Sequence, residues 1–312
     1  MKLEGLHHIT AITGDAPRNV DFYARVLGLR LVKKSVNQDD PTVYHLFYAD
    51  EAGSAGSDLT FFEYPNARPG RAGNGMVHRI AHRVAAPESL EFWADRLGDE
   101  GVATSRADGG ALRFDDPEGL SHELVVVDVA DAPLRARSTE VPDEHALQGF
   151  HAVYAAVPDV RRSSALLTDV LGAAAADDGA FEVRGDRRGS FIRFEGDGGR
   201  GFSGAGTVHH IAWGATLDEH TAWRERVAAA GLQVTPVIDR FYFHSVYFRE
   251  PGGILYEIAS IGPGFATDEP VETLGERLAL PPDFEHLRAQ VEPLLTPLPD
   301  IRQWRPAPAP AS

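Results

Sequence analysis

The chain is 312 residues long, 43% hydrophobic and 24% charged, with a net charge of −16 and no cysteine. That length carries proper cores for one large or two ordinary domains, and no stretch reaches the roughly 18 uninterrupted apolar residues of a membrane helix. The acidic balance argues against a nucleic-acid partner, and the lack of cysteine excludes disulfides and thiolate chemistry, so any metal must be held by His, Asp or Glu.

Strand-like sequence begins at once, so no secretory signal is expected and the expected location is the cytoplasm. A first unit opens with a strand over Leu6–Ile12. A helix follows from Asp15, with Pro17 in its first turn, Val20, Phe22, Tyr23, Val26 and Leu27 on its apolar side, and Gly28 after its end. Strands are expected at Leu31–Val36, Tyr44–Tyr48 and Leu59–Tyr64. The Pro/Gly-rich stretch Tyr64–Gly75 reads as a linker.

The same plan recurs three more times. The second unit runs from Met76 to about Val127, with a helix over Pro87–Leu97. Asp128–Ala146 joins the halves. The third unit starts near Leu147 with a helix over Pro158–Leu171, and the glycine-rich Gly196–Gly206 links it onward. The fourth starts near Val208 with a helix over Leu217–Ala230. A tail from Gly262 holds a weak helix around Phe284–Leu295 and ends in a Pro/Ala-rich segment. Two roles are open for this tail, a cover over a pocket or a subunit contact. The division is an N-terminal half (1–135, units 3–65 and 76–127), a C-terminal half (136–261, units 147–196 and 207–261) and the tail (262–312). Units of this length exceed the common solenoid repeats. The expected fold is therefore α+β: four βαβββ units that pair to close cupped sheets.

Each unit opens on a histidine in a short strand: Leu6-His7-His8-Ile9-Thr10, Val77-His78-Arg79-Ile80-Ala81, Phe150-His151-Ala152-Val153-Tyr154 and Val208-His209-His210-Ile211-Ala212. Only the first and last are doubled. Aligned on these strands, His8 matches Arg79, Ala152 and His210. Glu257 in the last strand matches Glu123, with Glu63 and Glu195 in the comparable region of the other two units. Units one and two would offer His8, Arg79 and Glu123; units three and four, Ala152, His210 and Glu257; units two and three, Arg79, Ala152 and Glu123. Only units one and four give His8, His210 and Glu257. That set is a 2-His-1-carboxylate triad of the kind that serves non-haem Fe(II) and oxygen.

Three segments carry a family resemblance: Gly5-Leu6-His7-His8-Ile9-Thr10, Val208-His209-His210-Ile211-Ala212, and Asp239-Arg240-Phe241-Tyr242-Phe243-His244-Ser245-Val246-Tyr247-Phe248 followed by Glu257. They resemble the vicinal oxygen chelate superfamily over residues 3–261, and within it the dioxygenases that cleave hydroquinone rings. The resemblance implies Fe(II), or Mn(II), on His8, His210 and Glu257, with a small aromatic substrate and O2 as partners. It also implies roles beside the metal for His7, Thr10, His209, Arg240 and Tyr247.

Local chemistry bears on each of these. Histidine is the usual acid/base near neutral pH, so His209 could relay a phenolic proton. Adjacent strand residues face opposite ways, however, so His7 and His209 point away from the metal unless the strand is bulged. Arg240 could hold a phenolate or a reduced oxygen species, or simply pair with Asp239. Tyr247 could donate to a substrate oxygen or be a core aromatic, and Phe241, Phe243 and Phe248 are core or pocket wall. For a para-diol a second polar group must grip the far hydroxyl, and no residue is assignable to that task from sequence. The alternatives are a glyoxalase-type isomerase or lyase, which favours a second carboxylate ligand, and an aromatic-binding resistance protein without turnover. No membrane partner is expected, and the chain is either a monomer or a homo-oligomer.

Overall fold

The structure, a computed structural model, describes residues 1–176 and 178–306. The Pro/Ala-rich end from position 307 lies outside the described residues. The first unit contributes β1 (Leu6–Thr13), β2 (Arg30–Asn37), β3 (Asp40–Ala49) and β4 (Asp58–Glu63). The second contributes β5 (Met76–Val84), β6 (Thr104–Arg106), β7 (Leu112–Asp115) and β8 (Ser121–Val126). The third contributes β9 (Phe150–Ala156), β10 (Ala174–Ala175), β11 (Ala180–Arg184) and β12 (Gly189–Phe194). The fourth contributes β13 (Val208–Ala215), β14 (Ile238–Asp239), β15 (His244–Arg249) and β16 (Leu255–Ser260).

These strands form two eight-stranded sheets. One runs β14-β15-β16-β13-β1-β4-β3-β2 and the other β10-β11-β12-β9-β5-β8-β7-β6. Units one and four thus share a sheet, and units two and three share the other, as the ligand pairing required. In each sheet the seam is an antiparallel pair of opening strands, β1 with β13 and β5 with β9. Each opening strand also pairs in parallel with the last strand of its own unit. The two linkers make this exchange of partners possible by crossing each other. Bridges join Pro69 to Ala205 and Arg71 to Phe202. A side chain at Gly73 would stand 2.3 Å from the backbone nitrogen of Gly201, so only glycine admits the crossing.

Helices pack on one face of each sheet. Tyr23 lies 4.7 Å, ring to ring, from Phe61 of β4, and Trp93, Trp213 and Trp223 are buried in the same core. That face is sealed by apolar side chains, so the opposite face is free to hold polar ones. Two helices depart from the expected form. After an α-helical start at Ala16–Val20 the first continues as a π-helix over Asp21–Val26, and the third unit repeats this with Val160–Ala165 and Leu166–Val170. Leu27 donates its N–H to the carbonyl of Phe22 and Leu171 to that of Leu166, the i→i+5 pattern that defines the change. The fourth helix begins at His220, after a 3-10 turn over Leu217–Glu219.

The tail is not one helix but several short pieces, and it lies along β2, the outer strand of the first sheet. Lys34 bridges to Leu278, and the Ala279 N–H donates to the Lys34 carbonyl at 2.9 Å. Lys33 is fully buried and paired with Asp268 at 2.7 Å and with Glu269. The tail therefore covers a sheet edge whose unpaired backbone groups would otherwise be exposed. Tyr242 donates to the same Asp268 at 3.0 Å, which ties the tail to a residue of the first sheet's concave side. Among the described residues no helix is long and apolar enough to cross a membrane.

Candidate metal centre

The doubled histidines owe their placement to bulges. Across the β1–β13 seam, Leu6 pairs with Trp213 and Ile9 with Ile211, which leaves both His7 and His8 opposite Ala212. Two residues later Thr10 pairs with His210 and Ala11 with Val208, which leaves His209 as the extra residue on β13. A bulge breaks the strict alternation of side chains, so neighbouring residues can serve one side. As a result His7 Nδ1 lies 3.0 Å from His8 Nδ1, and His209 Nδ1 lies 2.8 Å from His210 Nδ1. The second sheet bulges in the same register, with His78 and His151 as its extra residues. The histidine that opens every unit marks the bulge.

The bulges and the parallel pairing of β13 with β16 bring three donor atoms together. His8 Nε2 and His210 Nε2 stand 3.3 Å apart, and Glu257 Oε2 lies 3.1 Å from the first and 3.0 Å from the second. All three residues are buried, Glu257 completely. Among the described residues these are the only three His, Asp or Glu side chains whose ligand atoms converge in this way.

The donor set fits a divalent cation. Ligand bonds of about 2.0–2.2 Å at right angles would put neighbouring ligand atoms about 3 Å apart, which is the spacing found. Among the described residues no hydroxyl or backbone N–H reaches either oxygen of Glu257. With both Nε2 lone pairs turned to one centre, each ring has its Nδ1–H left to donate to the histidine before it. That accessory bond is the usual means of fixing a ligand imidazole. His7 and His209 are suited to accept it. Burial, aided by His8, pushes the His7 pKa down to about 3, and partial desolvation of the more exposed His209, aided by His210, pushes that ring down to about 4, so both rings are neutral at working pH. Burial alone would raise the Glu257 carboxyl, but His8 and His210 outweigh it and hold it well below the usual range.

The two histidines of the cluster line the floor of an open cleft. Phe47, Phe62, Phe243 and Tyr247 wall it, and Asn37, His45 and Arg240 add polar groups. The Tyr247 ring meets His210 edge-on at 5.9 Å, and burial next to Glu257 raises its hydroxyl pKa, so it stays protonated as a donor. Arg240 pairs across the cleft with Asp39 at 3.2 Å, not with Asp239, whose carboxylate accepts from the Phe241 N–H instead. Thr10 is buried, and its Oγ1 lies 2.8 Å from Thr60 Oγ1. Phe243 is cleft wall, Phe248 is core, and Phe241 is half-buried beside Tyr242.

Two residues were missed by the sequence reading. His45 lines the cleft from β3, with its Nε2 2.9 Å from Thr60 Oγ1. The signal was present, since His45 and Phe47 alternate within a strand and so share a face. Asp58 is buried beside His8 in the β1–β4 register with no partner on either oxygen. Burial pushes its pKa up to about 8. One alignment needs correction. The positions matching Glu257 and Glu123 in units one and three are Thr60 and Arg193, set by the parallel pairs Thr10–Thr60 and Tyr154–Arg193. Glu63 and Glu195 lie farther along their chains. Glu195 instead joins Arg79 at 2.8 Å and His78 at 3.0 Å.

Paired βαβββ units closing a cupped sheet over a His-His-Glu cluster define the vicinal oxygen chelate class of proteins. The chain belongs to the Glyoxalase/Bleomycin resistance protein/Dioxygenase superfamily, whose sequence model matches residues 5–124 and 149–258. It is 40% identical to MhqO of Bacillus subtilis (strain 168), named as a ring-cleaving dioxygenase, over 97% of this chain and 98% of that one. It is 32% identical to the chlorohydroquinone/hydroquinone 1,2-dioxygenase of Sphingobium indicum, over 93% and 95% of the two chains. A crystal structure of a Bacillus subtilis protein described as a dioxygenase superposes with a TM-score of 0.88 at 40% identity, covering 96% of this chain and 98% of that one.

Proposed function

We propose that this chain is a ring-cleaving dioxygenase of the extradiol type that uses Fe(II), or Mn(II), to insert both atoms of O2 into a hydroquinone-like or other dihydroxylated aromatic ring. The observation that carries this reading is the convergence of His8 Nε2, His210 Nε2 and Glu257 Oε2 within 3.0–3.3 Å at the floor of an aromatic-walled cleft. The names of relatives at 32–40% identity support the reaction class. The two-histidine, one-carboxylate set favours oxygen chemistry over the isomerase alternative.

His8, His210 and Glu257 would hold the ion, which when bound would supply Lewis-acid and redox chemistry toward a diol and O2. The protein's own groups do the rest. Phe47, Phe62 and Phe243 take the ring and exclude water from it. Arg240, fixed in its charge, stabilises the phenolate form of the diol. The Tyr247 hydroxyl donates to oxygen carrying developing negative charge. His7 and His209 hold the two ligand rings through their Nδ1 atoms, a positioning task that their low pKa values suit better than proton relay. Thr10 fixes Thr60 on the concave face.

The test is O2 consumption by protein prepared without oxygen, loaded with Fe(II) and given hydroquinone. One O2 per ring, with a new ultraviolet band for a ring-opened product and loss of both signals in Glu257→Ala, is the expected result. Bound iron with no O2 uptake on any hydroquinone or catechol would overturn the reading.

A further inference from the structure

Across the concave face of the first sheet a row of polar side chains leads away from the cluster. Its strands stand in the order β13, β1, β4, β3. His210 on β13 pairs with Thr10 on β1, and Thr10 pairs with Thr60 on β4. The Thr10 and Thr60 hydroxyls are 2.8 Å apart, and Thr60 Oγ1 lies 2.9 Å from His45 Nε2 on β3. With strands about 4.8 Å apart, β3 stands about 10 Å from the strand that carries His8. His45, His8 and His210 line the same cleft, with Phe62 beside both His45 and His210.

His45 is built to hold a fixed orientation. Its ring lies between Phe47 at 3.9 Å and Phe62 at 4.3 Å, centre to centre. The Thr60 hydroxyl occupies Nε2, and no protein group among the described residues bonds Nδ1. The side chain is half-buried and faces the cleft. Beside Phe47, Phe62 and Phe243, a ring nitrogen that faces the cleft without a protein partner is suited to ligand recognition.

We propose that His45 selects para-dihydroxylated rings, its Nδ1 hydrogen-bonding the hydroxyl opposite the one at the His8–His210–Glu257 cluster while Thr60 and Thr10 hold the imidazole in place. This rests on the dioxygenase reading and deepens it by naming the substrate class. In an ortho-diol both oxygens lie at the cluster end and nothing reaches His45. In a para-diol the second oxygen extends away from the cluster, toward β3. His45 is therefore a specificity-determining residue that touches substrate, and Thr60 is a positioning residue behind it.

The experiment compares kcat/KM for hydroquinone and catechol in wild type, His45→Phe, His45→Asn and Thr60→Val. A second arm measures anaerobic binding of hydroquinone and of phenol to the metal-free protein by calorimetry. A site polar group deprived of its partner costs about 1–3 kcal/mol, so His45→Phe should lower the hydroquinone-to-catechol ratio about 10- to 100-fold, mostly through KM. His45→Asn, which keeps a polar atom near Nδ1, should recover part of the ratio. Thr60→Val should lower it less than His45→Phe. In the binding arm, wild type should prefer hydroquinone to phenol and His45→Phe should not.

An unchanged ratio in His45→Phe together with an unchanged binding preference would overturn the proposal. So would equal losses on both diols. Should wild type turn over no diol at all, the dioxygenase reading falls, and the binding arm still decides the role of His45. Melting curves on each variant separate misfolding from lost recognition.

Discussion

The two cups of this molecule share strand order, bulge positions and a glutamate on the same strand, yet among the described residues only one brings three candidate ligand atoms together. In the first, His8, His210 and Glu257 converge, and among the described residues no hydroxyl or backbone N–H satisfies the carboxylate. In the second, Arg79 stands where His8 does and Ala152 where His210 does. There Glu123 faces Arg79 Nε at 3.3 Å, Arg113 Nε at 2.5 Å and the Tyr154 hydroxyl at 2.9 Å. The Arg79 guanidinium also lies 3.8 Å above the Tyr154 ring. The fold thus places a buried carboxylate in both cups, and two substitutions decide whether it serves a cation or an ion-pair network. A carboxylate removed from water needs one or the other.

Exchanging the decisive positions between the two cups should have the largest effect. His210→Ala, which gives the first cup the residue of the second, should lower metal affinity by more than roughly 100-fold and abolish turnover, since even accessory partners of ligands contribute 10- to 100-fold. Conversely, Arg79→His with Ala152→His should raise the metal content from one ion per chain toward two, measured by elemental analysis. A double variant that folds and binds one ion would show that Arg113 and Tyr154 close the second cup more firmly than the two substitutions do.

A smaller effect belongs to a histidine pair on the second sheet that reaches Tyr23 of the first unit. His82 Nε2 lies 3.0 Å from His122 Nδ1, and His122 Nε2 lies 3.0 Å from the Tyr23 hydroxyl, which donates to Asp116 at 2.9 Å. Burial lowers the His82 pKa to about 4 and that of His122 well below its ordinary value. Both rings are neutral when folded, so their contribution is intact above pH 6.5 and is lost as pH falls from there toward 4. For His82 the loss is about 3 kcal/mol at 1.36 kcal/mol per unit. Unfolding free energies between pH 7 and 4 should therefore fall less steeply in His82→Gln than in wild type.

Smaller again is the effect of the accessory histidines. His7→Phe should keep all three ligands but lower metal affinity about 10- to 100-fold by releasing the His8 ring. Competition with a chelator measures it. An unchanged affinity would show that packing against Phe243 alone holds His8.

Much of this was legible in the sequence because the repeats are internal controls. Four histidine-led strands gave the unit count, and the contrast of His8 and His210 with Arg79 and Ala152 pointed to units one and four as sheet partners. What escaped was set by contacts between distant strands. The displacement of Glu63 and Glu195 from the matching register depends on the parallel pairs of β4 and β12, which no local pattern reports. The partner of Arg240 is Asp39, on the far side of the cleft. The alternation of His45 with Phe47 put both on one face, but only the strand order, with β3 two strands from β1, places that face in the same cleft as His8. The switch to π-helix in units one and three left no feature that periodicity alone would separate from an ordinary amphipathic helix.

The proposed function stands on one divalent ion bound by His8, His210 and Glu257 in the first cup, with none in the second. Crystals of the protein grown without oxygen, loaded with Fe(II) and measured at the iron absorption edge should show one anomalous peak per chain, within bonding distance of His8 Nε2, His210 Nε2 and a Glu257 oxygen. A chain without a peak there, or with one beside Glu123, would contradict it.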